Sequence, residues 1–470
     1  MEKFGKKQLV AYGLGAVGKD MVYALSASYV MYYYQDLLGL SASFVGLILM
    51  IARVFDAAND PFMGVVVAKT NTKCGKFRPW LFTGTLLNAF ILYGLFAVPP
   101  LAGKSLMIYF AVMYILWGIT YTMMDIAFWS IIPAVTSAPA DRENLSVVGR
   151  SFAGVGNALI AVLTVMVVSV LGAGNELPGF KRFAFIVAVL FVVLIMYMCW
   201  VIKEDKVETM STTNVKEMFQ ALINNDQAMV TVLTIVLINS ALYITSNLII
   251  YFFKYDISGE NWKASYTLFT TVGGLAQIIG MMMVYPQMRK KYSNIMIFKN
   301  CLLVAIAGYG VLLGAVFLGF NNSLPILLIP GVLIFSGNGI LTVLTTIFLS
   351  LSVDYGEIKT GHRDESVIFS MQTFVVKAAS GLAVFLTGIG LDLIGLEGNS
   401  GETGEMIQQS TSTLNGLRLM MTILPMIGLL IAYRVFVRKF NLTDEKALEM
   451  SQISKDNNPY TTKTLLAQFV

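Results

Sequence analysis

The chain has 470 residues, of which 56% are hydrophobic and only 13% are charged, and its mean hydropathy is +0.70. Soluble proteins carry charge on roughly a quarter of their residues, so this composition predicts an integral membrane protein and excludes an ordinary soluble enzyme. The 33 Lys and Arg against 28 Asp and Glu give a formal charge of +5, a smaller excess than nucleic-acid-binding proteins usually have, and no nucleic-acid partner is expected.

The counts of cysteine and histidine narrow the chemistry further. Cys74, Cys199 and Cys301 are widely spaced and odd in number, which excludes a disulfide framework and a C-x-x-C metal site. The single histidine, His362, lies in a polar loop beside Arg363 and excludes a histidine-rich metal site. We therefore expect no cofactor and no enzymatic activity.

The apolar segments predict an all-α membrane bundle. A spanning helix needs about 20 mostly apolar residues, and by this measure the chain contains about twelve candidates. They are too long for membrane strands and lack a two-residue alternation. Their centres lie near residues 22, 55, 88, 119, 155, 191, 240, 275, 307, 337, 380 and 425.

A polar stretch divides the twelve predicted spans into two sets of six. Residues 203–226 form the longest polar segment inside the bundle and are interpreted as a cytoplasmic middle loop. The predicted organisation is a six-helix half at 1–202, this loop, a second half at 227–438 and a cytoplasmic tail at 439–470. Basic loops follow both the second and the eighth spans, an echo that is typical of duplicated transporters.

The distribution of basic residues in the loops predicts the orientation. With the N-terminus inside, about nineteen Lys and Arg lie on the inner side and about five outside, as the positive-inside rule requires. Both termini are therefore expected in the cytoplasm of a multi-pass, lipid-embedded protein of the cell membrane. The tail is too short for a typical enzyme domain.

Eight charges lie within the predicted spans rather than in loops. A charge near the bilayer centre costs at least about 2.5–3.5 kcal/mol, so such groups normally face a cavity or one another. The four acids and four bases are consistent with mutual pairing. They are Lys19, Asp20, Arg53, Asp56, Asp60, Asp125, Arg150 and Lys377.

Asp56 and Asp60 in the second span predict a site for a monovalent cation. Residues four apart lie on one face of a helix, one turn from each other. Two carboxylates this close in a low dielectric repel, and bound Na⁺ or H⁺ relieves the repulsion. The alternative is that Arg53, one turn before Asp56, simply pairs with one of the acids.

The fourth span carries a polar stripe suited to a sugar. Thr122, Asp125 and Trp129 share one helical face, so a hydroxyl, a carboxylate and an indole lie together. A carboxylate accepts hydrogen bonds from sugar hydroxyls, and an aromatic ring stacks on the C–H face of a sugar. The alternative is that Trp129 only packs or anchors the helix at the membrane interface.

Several segments resemble those of one transporter family. They are GKDMVYALSASYVMYYY, ARVFDAANDPFMG, GKFRPWL, WGITYTMMDIAFWSIIP, VDYGEIKTGHRDES and SMQTFVVK. In order and over most of the chain, they are similar to the glycoside-pentoside-hexuronide cation symporters of the major facilitator superfamily. The middle loop, the outer loop near residue 400 and the tail resemble nothing in particular.

The resemblance implies a fold and a function. The fold would be two six-helix halves, and the activity would be import of a glycoside, such as an α-galactoside disaccharide, coupled to Na⁺, Li⁺ or H⁺ by alternating access. A monomer is expected. The implied cation-binding residues are Asp56 and Asp60, which would hold Na⁺ directly, with Asn59, Thr122 and Lys377. The implied sugar-binding residues are Lys19, Asp20, Asp125, Trp129, Arg150, Gln372 and Thr373.

Two positions depart from the resembled pattern. Thr342 stands in the tenth span where an aromatic residue facing the sugar is expected, and Leu351 replaces an acid three residues before Asp354. These differences bear on galactoside specificity and leave a glycoside substrate as the expectation.

The loops GKFRPW and DYGEIKTGHR are candidates for a cytoplasmic gate. We expect Arg78 or Arg363 to pair there with an acid such as Asp354, Glu357 or Glu365.

Two other functions remain open from the sequence. One is a symporter for a non-sugar amphiphile such as a lysolipid or a drug. The other is a membrane sugar sensor that binds without transporting.

Overall fold

The computed structural model describes residues 5–136, 138–204, 220, 222–257, 262–320, 323–360, 365–396 and 408–453. Within these ranges the backbone is mostly helical, and the only β-type pairing is an isolated bridge between Thr72 and Gly75. Helices suit a membrane because each one satisfies its backbone N–H and C=O groups internally.

Twelve helices of 18 to 37 residues follow one another in the described residues. The first six are α1 (Lys6–Tyr32), α2 (Ala42–Ala68), α3 (Arg78–Phe96), α4 (Gly103–Val135), α5 (Pro139–Leu171) and α6 (Glu176–Val201). The next six are α7 (Asp226–Tyr251), α8 (Trp262–Ile279), α9 (Asn294–Phe317), α10 (Leu324–Thr360), α11 (Glu365–Leu393) and α12 (Thr411–Lys439). Each of the twelve predicted centres lies in a different one of these helices.

Five shorter elements accompany the long helices in the described residues, and the first is the π-helical turn Tyr33–Leu37 that follows α1. The π-helical turn Phe252–Asp256 extends α7, the π-helical turn Gly280–Val284 and the short segment Tyr285–Arg289 extend α8, and α13 (Asp444–Ile453) follows α12. The middle loop predicted at 203–226 and the outer loop near residue 400 lie largely outside the described residues.

Length and apolar composition alone qualify eight of the described helices as membrane spans. The other four long helices are α1, α2, α5 and α11, and each of them carries at least one of the charges singled out in the sequence. Large apolar side chains such as Phe90, Val170 and Leu318 are about three-quarters exposed, as expected for residues that face lipid tails.

The described residues form two compact units. Unit 1 comprises Met1–Met229, Thr346–Phe374 and Asp444–Val470, and unit 2 comprises Val230–Thr345 and Val375–Thr443. The end of α10 and the start of α11 therefore group with the first six helices, and the predicted halves at 1–202 and 227–438 stay a prediction. The order of the helices along the chain follows from the sequence. The two units, by contrast, are defined by which residues pack against each other.

Close helix contacts in unit 1 depend on small residues. A Cβ at Gly156 of α5 would lie 2.5 Å from the carbonyl oxygen of Val17 in α1, and one at Gly18 would lie 3.2 Å from the backbone of Phe191 in α6. Gly156 therefore needs glycine, because a side chain would force the helices apart, whereas a side chain at Gly18 would be tightly packed. The resulting approach of α1 to α5 brings the charges of α1 next to polar groups of α5.

Ring packing and an ion pair both contribute to unit 2. The rings of Phe298 in α9 and Phe436 in α12 have centroids 4.2 Å apart. Arg418 of α12 donates two hydrogen bonds to the carboxylate of Asp256, of 2.8 Å from Nε and 2.5 Å from Nη2. A two-point guanidinium–carboxylate pair is geometrically specific and fixes the end of α7 against α12.

Candidate functional site

The two acids of α2, here called the acid pair (Asp56 and Asp60), both lie against α4. Thr122 Oγ1 donates a 3.2 Å hydrogen bond to Asp60 Oδ1, and both side chains are almost fully buried. One turn away, the carboxylate of Asp56 sits on Gly118, where a Cβ would collide with it. Successive turns of α2 therefore meet successive turns of α4.

The acid pair has polar side chains near it. Asn59, between the acids, has an amide Nδ2 that is buried without a hydrogen-bond partner among the described residues. Carboxylate, hydroxyl and amide oxygens are the ligands that hard cations prefer. No group of three or more His, Cys, Asp or Glu side chains converges anywhere in the described ranges. The donor set thus fits a small monovalent cation or a proton.

Arg53 lies one turn before the acid pair on α2. Its Nη1 donates to the hydroxyl of Tyr23 of α1 over 3.4 Å. This contact gives the guanidinium a partner besides the acids, which the sequence alone did not indicate.

Lys19 of α1 connects two other acids at the centre of a second group, the Lys19 cluster (Lys19, Asp20, Tyr121, Asp125, Trp129 and Arg150). Its ammonium lies 3.0 Å from Asp20 Oδ2 and 2.8 Å from Asp125 Oδ1, and it donates to the Tyr121 hydroxyl over 3.1 Å. Only 3% of Lys19 is exposed. Mutual pairing, expected from the equal numbers of buried acids and bases, is thus present here.

Trp129 lies at the other end of the same cluster. Its Nε1 donates to Asp125 Oδ1 over 3.1 Å, and the guanidinium carbon of Arg150 lies 3.8 Å from the centroid of its ring. The indole is therefore hydrogen-bonded at its polar edge and covered on one face, and its role in sugar binding stays a prediction.

Three contacts in and around the Lys19 cluster were not predicted. Tyr121 lies four residues before Asp125, so the stripe on α4 already contained it as a signal. Asn157 Nδ2 donates to Asp20 Oδ1 over 3.1 Å, and its position two turns after Arg150 on α5 is a second signal. Arg150 Nε donates to Thr346 Oγ1 over 2.8 Å, a contact across 196 residues that no local pattern indicates.

Helix α4 contacts both the acid pair and the Lys19 cluster through two neighbouring residues. Thr122 contacts the acid pair while Tyr121, one residue earlier, contacts Lys19. Asn88 of α3 supports this part of α4, since its Nδ2 donates to the Trp117 carbonyl and to Thr120 Oγ1, each over 2.9 Å. A shift of α4 would thus be felt by the acid pair and by the Lys19 cluster together.

The remaining predicted residues lie on α10 and α11. Gln372 and Thr373 are half-buried in unit 1, and Thr373 donates to the Phe369 carbonyl of its own helix over 3.0 Å. Lys377 and Thr342 belong to unit 2. Roles for these four residues stay predictions.

Two of the predicted gate acids lie beside bases that the sequence did not indicate. Arg142 of α5 forms an ion pair with Asp354, and Lys76 lies 3.5 Å from Glu365, with buried side chains in both pairs. Sequence could show which loops are charged, but the choice among neighbouring bases depends on how each helix end packs. A gate role for Glu357 stays a prediction, and Arg363 lies outside the described residues.

Arg78, the other predicted gate base, is held through its backbone. Glu204, just after α6, accepts backbone hydrogen bonds from Lys76, Phe77 and Arg78 at 2.6 to 3.1 Å. A carboxylate at the N-terminus of a helix satisfies N–H groups that have no intrahelical partner. The contact fixes the start of α3 to the end of α6.

The chain is similar to known membrane transporters. Residues 11–444 match the family model described as MFS/sugar transport protein. The raffinose carrier protein of Pediococcus pentosaceus is 27% identical over 460 residues, which cover 93% of this chain and 70% of that protein. The lactose permease of Lactobacillus delbrueckii subsp. bulgaricus is 27% identical over 470 residues, covering 95% and 72%.

A solved structure supports the fold. The crystal structure of a bacterial homologue of the iron transporter ferroportin, in the outward-facing state, matches with a TM-score of 0.70 at 14% identity. The match covers 93% of this chain and 99% of that chain. Together with the family match, this confirms the predicted all-α major facilitator fold of twelve spanning helices.

Proposed function

Because the chain belongs to the MFS/sugar transport protein family over residues 11–444 and is a multi-pass membrane protein, we propose that it is a cation-coupled sugar symporter. Its substrate is a glycoside, a disaccharide such as an α-galactoside, and the coupling ion is Na⁺, Li⁺ or H⁺. It imports the sugar by alternating access across the cell membrane, with both termini in the cytoplasm.

The observation that carries this proposal is the shared use of α4. Neighbouring residues Tyr121 and Thr122 contact the Lys19 cluster and the acid pair respectively. Cation binding at the acid pair cancels the repulsion between two carboxylates, and α4 transmits the resulting adjustment to the cluster. By linkage the sugar raises the affinity for the cation as much as the cation raises the affinity for the sugar. A coupling of about 1–3 kcal/mol suffices.

The chemistry of the Lys19 cluster supports a sugar as the substrate. Asp20 and Asp125 accept hydrogen bonds from hydroxyl groups, Lys19 donates them, and Trp129 offers an aromatic surface for C–H groups. The two acids and two bases sum to zero net charge, so an uncharged ligand enters without leaving an unpaired charge.

The relatives support the same assignment. The proteins named for raffinose and lactose in their own descriptions are carriers of uncharged glycosides. We also propose a more specific resemblance to melibiose permease. It is based on the segments of α2 and α4 quoted above.

Counterflow in proteoliposomes tests the proposal. A panel of labelled α- and β-glycosides, including raffinose and lactose, is measured in Na⁺, Li⁺ and cation-free buffers. We expect at least one glycoside to exchange, with stimulation by a cation or by a proton gradient, and Asp125→Asn to abolish the exchange. Transport of a lysolipid or drug without competition by any sugar would overturn the assignment, as would sugar binding without any transport.

A further inference from the structure

Arg150 covers the aromatic surface on which a sugar would stack. Its guanidinium carbon lies 3.8 Å from the Trp129 ring centroid, and only 7% of Trp129 is exposed. Planar guanidinium groups stack on aromatic faces, so this is a stabilising contact. It occupies the same surface that the C–H face of a sugar would need.

The rest of the Trp129 ring is also engaged. Its Nε1 edge is bound to Asp125, and Phe128 packs on it edge to face with centroids 5.2 Å apart. A Cβ at Gly149 would lie only 3.3 Å from Cζ3, and the Lys19 ammonium lies 5.2 Å from the ring centroid. Among these neighbours the Arg150 guanidinium is nearest to the ring centroid, so its displacement would uncover an aromatic surface.

Thr346 of α10 holds the guanidinium in place. Arg150 Nε donates to Thr346 Oγ1 over 2.8 Å, and Thr346 is 2% exposed. A hydrogen bond at Nε together with ring stacking fixes both the position and the plane of the guanidinium. Through this hydrogen bond Thr346 can act on Trp129 by way of Arg150.

We propose that Thr346 is a positioning residue that holds Arg150 on Trp129, and that a glycoside must displace this guanidinium in order to stack. The inference rests on the proposed function for the identity of the ligand. It makes Thr346 a determinant of sugar affinity, because each sugar competes with the Arg150 contact that Thr346 stabilises.

The first measurement needs no sugar. Phenylglyoxal modifies accessible arginines, and the extent at Arg150 is quantified by peptide mass spectrometry on the full-length purified protein. Thr346→Val removes the hydroxyl, and the net contribution of one hydrogen bond predicts about a two- to tenfold rise in Arg150 reactivity. Thr346→Ala must do the same, and Thr346→Ser, which keeps the hydroxyl, must match the parent.

Thr345→Val is the matched control. Thr345 is the neighbouring buried threonine, and its hydroxyl donates to the Thr342 carbonyl of its own helix over 2.9 Å. This variant loses a hydroxyl from the same turn without touching Arg150, so its Arg150 reactivity must stay at the parental level. Unchanged reactivity in Thr346→Val and Thr346→Ala would overturn the positioning role.

The second measurement is equilibrium binding of raffinose, lactose and the glycoside panel to the same variants. We expect Thr346→Val to bind the accepted glycoside about two- to tenfold more tightly, because the competing contact is weaker. Raised Arg150 reactivity with unchanged or weaker sugar binding would overturn the competition. If no glycoside binds the parent, the proposed function and the competition both fail, while raised reactivity would still support the Thr346 contact.

Discussion

The carboxylate of Asp56 lies directly on Gly118, so that any side chain at this position of α4 would have to displace the carboxylate. One turn further along both helices, Asp60 accepts a hydrogen bond from Thr122. The positions of the two carboxylates therefore depend on α4 as much as on the spacing of the acids on α2.

Gly118→Ala should reduce cation affinity without removing any carboxylate. The added methyl group forces Asp56 away from α4 and changes its distance from Asp60. We expect Na⁺ stimulation of uptake to fall by roughly tenfold or more while sugar binding in cation-free buffer is retained. Gly46→Ala on α2 is the control, since a Cβ there meets nothing within 4 Å. An unaffected cation response in Gly118→Ala would contradict the proposed position of the cation.

Removing either acid should be more severe. Asp56→Cys or Asp60→Cys deletes a cation ligand and leaves the Lys19 cluster intact, so cation-stimulated uptake should be lost while some energy-independent sugar binding remains. The two activities are separated by comparing uptake with equilibrium binding. Normal Na⁺ stimulation in both variants would refute the cation site.

The Lys19 cluster should show the opposite selectivity. Asp125→Ala and Trp129→Ala should weaken sugar binding more than cation binding, because the acid pair on α2 is untouched. Asp125 should be the costlier loss, since it also leaves Lys19 without one of its two carboxylates and a buried unpaired charge is unfavourable. Isothermal titration with Na⁺ in the absence of sugar measures the loss of cation affinity. If Na⁺ affinity falls as much as sugar affinity, Asp125 and Trp129 belong to the cation site and not to a sugar site.

Glu204→Gln should lower stability rather than specificity. An amide nitrogen cannot accept the backbone hydrogen bonds that both carboxylate oxygens now receive from Lys76, Phe77 and Arg78. A buried donor left unsatisfied costs about 1–3 kcal/mol, so the purified protein should unfold at a lower temperature. Glu445→Gln on α13 is the control, because Glu445 is exposed. An equal fall in unfolding temperature in both variants would mean that the Glu204 hydrogen bonds do not contribute to stability.

The sequence by itself determined the spans and much of the site. Length and apolarity of a segment are local properties, so all twelve helix positions followed from the chain, and the four-residue spacing of Asp56 and Asp60 placed both on one face of α2. Asp125 and Trp129 were likewise found from their spacing on α4. In each case the relevant partners lie within one helix, where the 3.6-residue repeat fixes their geometry.

Only the tertiary structure decided which residues meet across helices. Thr122 reaches Asp60, Lys19 reaches Asp125, Arg142 faces Asp354, and Arg150 bonds to Thr346. These partners are 62 to 212 residues apart, and several alternatives of equal charge were available to each. The choice depends on the close packing of helices at residues such as Gly118 and Gly156, where the absence of a side chain sets the depth and register of contact.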